Sequence, residues 1–195
     1  MPAKRPAPRL APLKEENLDA AQRALLESLR AGPRGRSLNI RGPFAAWMYA
    51  PEFGTLAQAL GAHTRYKTRL EPRLSEFAIL CTARFWKAQY EWFAHAPIAQ
   101  KAGLSPDIIA ELKTGKRPSN MPEEEAVVYD FVTELTITRK VTDETFARAQ
   151  KVFSEQQIVD LTAVAGNYVM VAMMLAMAEQ TVPPGKQEPF RPEDP

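Results

Sequence analysis

Residues 71–97 read EPRLSEFAILCTARFWKAQYEWFAHAP, and no other stretch constrains the fold of this chain as much. Glu76, Glu91 and His95 sit there among Phe77, Ile79, Leu80, Phe85, Trp86, Trp92 and Phe93, with no glycine interrupting the pattern. Helices that bury so much apolar surface carry these polar groups inside with them, and buried polar groups need partners or a ligand. Glu91 and His95 are four apart, which on a helix puts both on one face within mutual reach, an acid and a base together. Glu76 lies fifteen positions before Glu91. On one straight helix it points within ~60° of the same direction but ~22 Å away. Two arrangements follow: Glu76 is unrelated to the other two, or the helix breaks between about Phe85 and Gln89 and its halves fold back on each other. Spacing alone does not choose between them. The plain alternatives are an intrahelical ion pair for Glu91 and His95, and an Arg73 or Arg84 partner for Glu76.

The run Pro72-Arg73-Leu74-Ser75-Glu76-Phe77-Ala78-Ile79-Leu80, then Ala83-Arg84, then Tyr90-Glu91-Trp92 and His95, resembles the carboxymuconolactone decarboxylase family, which includes the alkylhydroperoxidase D-like proteins. The match is strongest over residues 69–103 and looser toward Ala178. The peroxidase branch carries a Glu, a Cys-x-x-Cys pair and a His one helical turn beyond it. Here those slots hold Glu76, Ala88, Glu91 and His95, and the single cysteine, Cys81, lies elsewhere. A dithiol cycle needs a nucleophilic and a resolving thiol, so the Tyr-Glu-Trp version resembles the decarboxylase branch. The resemblance implies an all-α fold, a single-domain orthogonal helical bundle of the alkylhydroperoxidase D-like type. It also implies the helix break that brings Glu76 to the other two, a homo-oligomer (trimer or hexamer), and a cofactor-independent lyase acting on a carboxylated lactone or oxo acid.

Composition agrees with one globular unit: 195 residues, 45% hydrophobic, 25% charged, net charge +2. The basic residues are too scattered for a nucleic-acid footprint. One cysteine fits a reducing compartment, and the proline-rich start has no apolar core of a secretory signal, so the expectation is cytoplasmic. Residues 1–13 read as an extended arm, 14–180 as the helical domain and 181–195 as an exposed or interface-draped tail.

Within the domain, apolar spacing predicts helices over about 15–30, 43–49 and 51–67, one opening at Ser105-Pro106-Asp107 and running up to a loop over 115–122, one opening at Glu123 with Val127, Phe131 and Leu135 as its stripe, one over 141–153, and a last one over about 155–180. Ser105-Pro106 and the Ser154/Gln157 capping box mark two starts. No run alternates as a strand does, so no sheet is expected. Residues 158–178 are almost continuously apolar. Asp160, Thr162 and Asn167 interrupt them, which favours a helix in the core and a subunit interface over a membrane span.

His95 is the expected proton donor, with Glu91 orienting it and Glu76 lining the same pocket. Arg73, Arg84, Tyr90 and Asn167 are the candidate substrate-binding residues for a small anionic substrate. Arg34, Arg36, Asn39 and Arg41 form a basic loop that can reach an anion or lie solvated. Cys81 reads as packing, and His63 as a surface or structural residue. The resemblance implies no cofactor. With two histidines, a metal would have to use Glu76, Glu91 and His95. Rival readings are another proton-transfer enzyme, an isomerase or hydrolase, and a non-enzymatic helical oligomer that binds a ligand.

Overall fold

A computed structural model describes residues 9–36 and 38–191. Most of the arm, residues 1–8, therefore lies outside the described residues, as do Ser37 and 192–195. The described chain is all helical and has no strand. A short 3-10 turn, Glu15–Asn17, precedes α1 (Ala20–Ala31), α2 (Pro43–Trp47), α3 (Pro51–Tyr66), α4 (Pro72–Phe85), α5 (Gln89–Lys101), α6 (Pro106–Lys113), α7 (Glu123–Ile137), α8 (Asp143–Val152) and α9 (Glu155–Met177).

Local signals fix most of these boundaries. Asp19 caps α1 in a capping box with Gln22, and Ser154 does the same for α9 with Gln157. The first helix consequently starts at Ala20, later than its apolar spacing suggests, because Asp19 captures the backbone N–H of Gln22 and leaves Glu15–Asn17 as a separate turn. Gly103, at φ +102°, closes α5, with Leu104 N–H donating to Ala99 O at 3.0 Å.

α4 is the central helix and packs against α5, α7 and α9. Every residue from Leu74 to Arg84 is buried. Phe77, Ile79 and Leu80 are fully so, each contributing about 1.5–3 kcal/mol of burial. α9 is long and apolar enough to cross a bilayer, yet ten of its residues face the core. Its buried Asp160 accepts from the backbone N–H of Arg69 at 2.8 Å, so it packs here as a core helix. Val159, Met173 and Met177 form its exposed side.

The tail departs from expectation. Phe190 is 2% exposed, its ring meets Trp92 edge-on at 5.1 Å, and its backbone exchanges two hydrogen bonds with the Gln89 side chain. Val182 is buried as well. Two apolar anchors in a proline-rich segment make it a strap across the start of α5.

The helix break expected between Phe85 and Gln89 is present. α4 ends at Phe85 and α5 begins at Gln89. Ala88 N–H donates to Ala83 O at 2.8 Å, and Lys87 N–H to Arg84 O at 3.1 Å, a Schellman turn. Its left-handed position is Lys87, at φ +46°, where a glycine is usual. An L side chain in that conformation costs roughly 1–2 kcal/mol. Lys87→Gly is therefore expected to keep the turn and raise the melting temperature by about 2–4 °C, and Lys87→Val to lower it. A thermal melt of the two variants checks this.

Candidate functional site

The reversal lays α5 back along α4, and Glu76 of α4 meets His95 of α5: His95 Nδ1 lies 2.6 Å from Glu76 Oε2. The other Glu76 oxygen lies 3.4 Å from Nε of Arg65, an ion pair without hydrogen-bond alignment. Both Glu76 and His95 are buried. Tyr168 of α9 packs edge-on against the imidazole at 4.9 Å and fixes its plane. With Nδ1 committed to the carboxylate, Nε2 is the nitrogen left for a substrate.

His95 borders a cavity of about 120 Å³ enclosed by α2, α3, α5, α9 and the loop before α2. Arg34, Trp47, Gly61, Arg65, Tyr90, Glu91, Asn167 and Tyr168 also line it. Among the described residues, eight buried side-chain nitrogen and oxygen atoms have no partner. Six belong to this lining: Arg34 Nη1, Trp47 Nε1, Arg65 Nε, both Glu91 oxygens and Asn167 Oδ1. An unpaired buried polar atom costs about 1–3 kcal/mol. Their concentration around one cavity marks a place prepared for a ligand.

The charge states differ from those in water. Burial holds the Glu91 carboxyl well above the usual carboxylate range, which favours its proton-bearing form. Burial also pushes His95 below the usual imidazole range, partly opposed by its bond to Glu76, and the ring is neutral at pH 7. Desolvation lowers Arg34, whose guanidinium still keeps its charge at neutral pH. The site thus combines a neutral imidazole base, an acid that carries a proton, and two guanidinium groups.

The expected roles of the two carboxyls are exchanged. Glu91 does not orient His95, although they share a helix face. The imidazole turns instead toward Glu76, which was expected to line the pocket but lies behind His95 and does not border the cavity. Tyr90 and Asn167 are at the cavity, as expected of candidate substrate-binding residues, but Arg73 and Arg84 are not. Arg73 is held by Glu124 at 2.8 Å and by Glu125. Arg84 donates to Lys113 O at 3.0 Å, lies over the Phe190 ring and borders a different cavity beside Cys81. Both arginines work in the scaffold because acceptors on neighbouring elements reach them first.

Of the basic loop, Arg34 turns inward over the Phe44 ring at 5.4 Å, while Arg36, Asn39 and Arg41 stay exposed. Arg65, Trp47 and Tyr168 were not expected at the site. Arg65 ends an amphipathic helix and reads as a surface residue. Gly61 in the middle of α3 was the one available signal that something approaches there closely. Among the described residues no three His, Cys, Asp or Glu side chains converge as a metal site needs. Cys81 is buried, its thiol pKa raised by burial, and it does not border this cavity.

No protein-family model and no curated protein matches the chain. Solved structures do. The alkylhydroperoxidase AhpD core structure of an uncharacterized peroxidase-related protein from Ralstonia eutropha JMP134 superposes with a TM-score of 0.76, covering 92% of this chain and 94% of that one at 14% identity. A protein of unknown function from Agrobacterium tumefaciens, assigned to AhpD antioxidant defence, superposes with a TM-score of 0.63, covering 70% of this chain and 94% of that one at 19% identity. The fold is the AhpD-like all-helical fold.

The state of Glu91 has a measurable consequence. Its folded pKa is raised, so from about pH 4.5 upward the unfolded chain releases a proton that the folded chain keeps. Stability is then fully present below that value and is lost as pH rises, by up to about 1.4 kcal/mol per pH unit. Glu91→Gln removes this loss. Denaturant titrations at pH 5 and pH 7 are expected to show the variant gaining on the parent as pH rises, and a constant difference would show an ionised Glu91.

Proposed function

We propose that this chain is a cofactor-independent acid–base enzyme for a small anionic carbonyl compound, and that decarboxylation of a carboxylated lactone or related oxo acid is the reaction its site fits best. The observation that carries this reading is the cavity that His95 and the buried Glu91, its carboxyl pKa raised by burial, line together, with Glu76 hydrogen-bonded to the His95 Nδ1 behind it. The cavity suits a molecule of roughly one small ring, since about 150 Å³ accommodates benzene.

In the decarboxylation, the bond between the carboxylate carbon and the ring breaks, carbon dioxide leaves, and the electron pair moves into the conjugated carbonyl as an enolate. Arg65, beside the cavity, stabilises that charge in a site poor in water. Glu91 then gives its proton to carbon and recovers one from water. His95 Nε2, made more basic by the Glu76 carboxylate on Nδ1, accepts a hydrogen bond from a substrate O–H or from the water that returns the proton to Glu91, and gains no net proton over the reaction. A second reading uses the same groups: with a base and an acid on one cavity, His95 removes a proton from one carbon and Glu91 supplies one to another, an isomerisation. Thiol-dependent peroxide reduction has no second cysteine to run on, whatever the AhpD name of the structural neighbours suggests.

The same reading extends to assembly. A homo-oligomer, trimer or hexamer, would cover the exposed Val159, Met173 and Met177 of α9. Light scattering is expected to return such a multiple, and a stable monomer at micromolar concentration overturns it.

A panel of carboxylated lactones and oxo acids, followed by carbon dioxide release, tests the chemistry. His95→Gln is expected to lower turnover about 10²- to 10⁴-fold, and Glu76→Gln to lower it substantially through loss of the imidazole's partner, at melting temperatures close to the parent's. Cys81→Ser should change turnover by no more than a few-fold. Full turnover by His95→Gln on the true substrate would sink the mechanism.

A further inference from the structure

Gly61 stands inside α3 and is buried, although glycine there costs about 1 kcal/mol relative to alanine. A Cβ at this position would come within 3.0 Å of Arg34 Nη2 and 3.9 Å of Asn167 Nδ2. The missing side chain is therefore the floor on which Arg34 and Asn167 rest. Arg34 reaches this floor from the loop before α2, across the Phe44 ring. No carboxylate among the described residues pairs with it, and its Nη1 is buried without a partner.

The charge balance of the cavity gives this arrangement its meaning. Arg65 has its counter-charge in Glu76, whereas Arg34 has none. Glu91 and His95 add no charge at neutral pH, and burial keeps the Tyr90 and Tyr168 hydroxyls neutral. One positive charge is left uncompensated in a largely desolvated pocket, a costly state unless an anion enters. The unpaired indole N–H of Trp47 is a second donor on the same wall.

We infer that Arg34 is the anchor for one carboxylate of the ligand, and that the site selects small cyclic monoanions over neutral molecules and dianions of the same size. The selection rests on the acid–base reading for its use in catalysis, but the binding stands on the cavity's own charge and geometry. The guanidinium fork matches a carboxylate bidentately, and a second carboxylate would find the uncompensated cationic charge of the cavity already spent.

The probes are furan-2-carboxylate, its neutral isostere furan-2-carboxamide, and furan-2,5-dicarboxylate, measured by calorimetry and thermal shift on the full chain at pH 7 with no turnover involved. Furan-2-carboxylate is expected to bind and raise the melting temperature in a dose-dependent way, with the other two binding about tenfold or more weakly. Arg34→Gln should lose that affinity by about tenfold or more, while Arg36→Gln, an exposed arginine of the same loop outside the cavity, keeps it. If Arg34→Gln does not fold, Gly61→Ala replaces it: the added methyl presses on the guanidinium, so binding must weaken while the melting temperature holds or rises.

Absence of furan-2-carboxylate binding to the parent, equal binding of the amide, or unchanged affinity in the variant that folds overturns the anchor. The two proposals fail separately. Selective, Arg34-dependent binding with no turnover on any lactone or oxo acid removes the chemistry and leaves the anchor. Turnover that depends on His95 without monoanion selectivity does the reverse.

Discussion

The hydrogen bond between His95 and Glu76 joins two helices adjacent in sequence, and it exists only because the chain turns back at Lys87. Without that turn the two residues would stand nearly 30 Å apart along one helix, at 1.5 Å rise per residue. The turn is made by a lysine in a left-handed conformation, with α4 buried on one side of it and the Phe190 strap holding the start of α5 on the other. Packing thus supplies what the local sequence withholds. The local penalty, roughly 1–2 kcal/mol, is small beside the burial of the apolar residues that line α4.

Once α4 and α5 are paired, the electrostatics of the cavity follow from burial. Arg65 and His95 both face Glu76, whereas Glu91, one turn before His95, has no hydrogen-bond partner, and burial raises its carboxyl well above the usual range. Two carboxyls of the same type, both on the helix pair, are thereby given opposite surroundings. The six unpaired polar atoms around the cavity are a stability cost that the apolar core of α4, α7 and α9 offsets.

The sequence discloses the helices and the reversal well, because both rest on local chemistry: apolar spacing, Asp19 and Ser154 caps, and two carboxyl-bearing halves too far apart on a straight helix. The AhpD-like fold expected from the Glu76-to-His95 pattern is the one observed. The site was legible only where its residues share the organising stretch. Glu91 and His95 have the spacing of a pair, but their relation was decided by a third residue across the turn. Arg73 and Arg84 lie in the right segment and are taken by Glu124, Glu125 and Lys113 O from other elements. Arg65 and Arg34 come from a helix end and a loop, where arginine is usually solvated. Only tertiary packing separates them from Arg36 and Arg41.

The departure from the peroxidase pattern can be stated in terms of what the site stores. By the resemblance, Ala88 and Glu91 occupy the slots of the two redox cysteines. A thiol pair there would hold two electrons and exchange them with a peroxide. A carboxyl at 91, enclosed by apolar surroundings, holds a proton at neutral pH and can exchange only that. Glu76 and His95 serve either chemistry, since both need a base whose proton is controlled. The side chains present at those slots therefore handle protons rather than electrons, which is the ground of the acid–base reading proposed above.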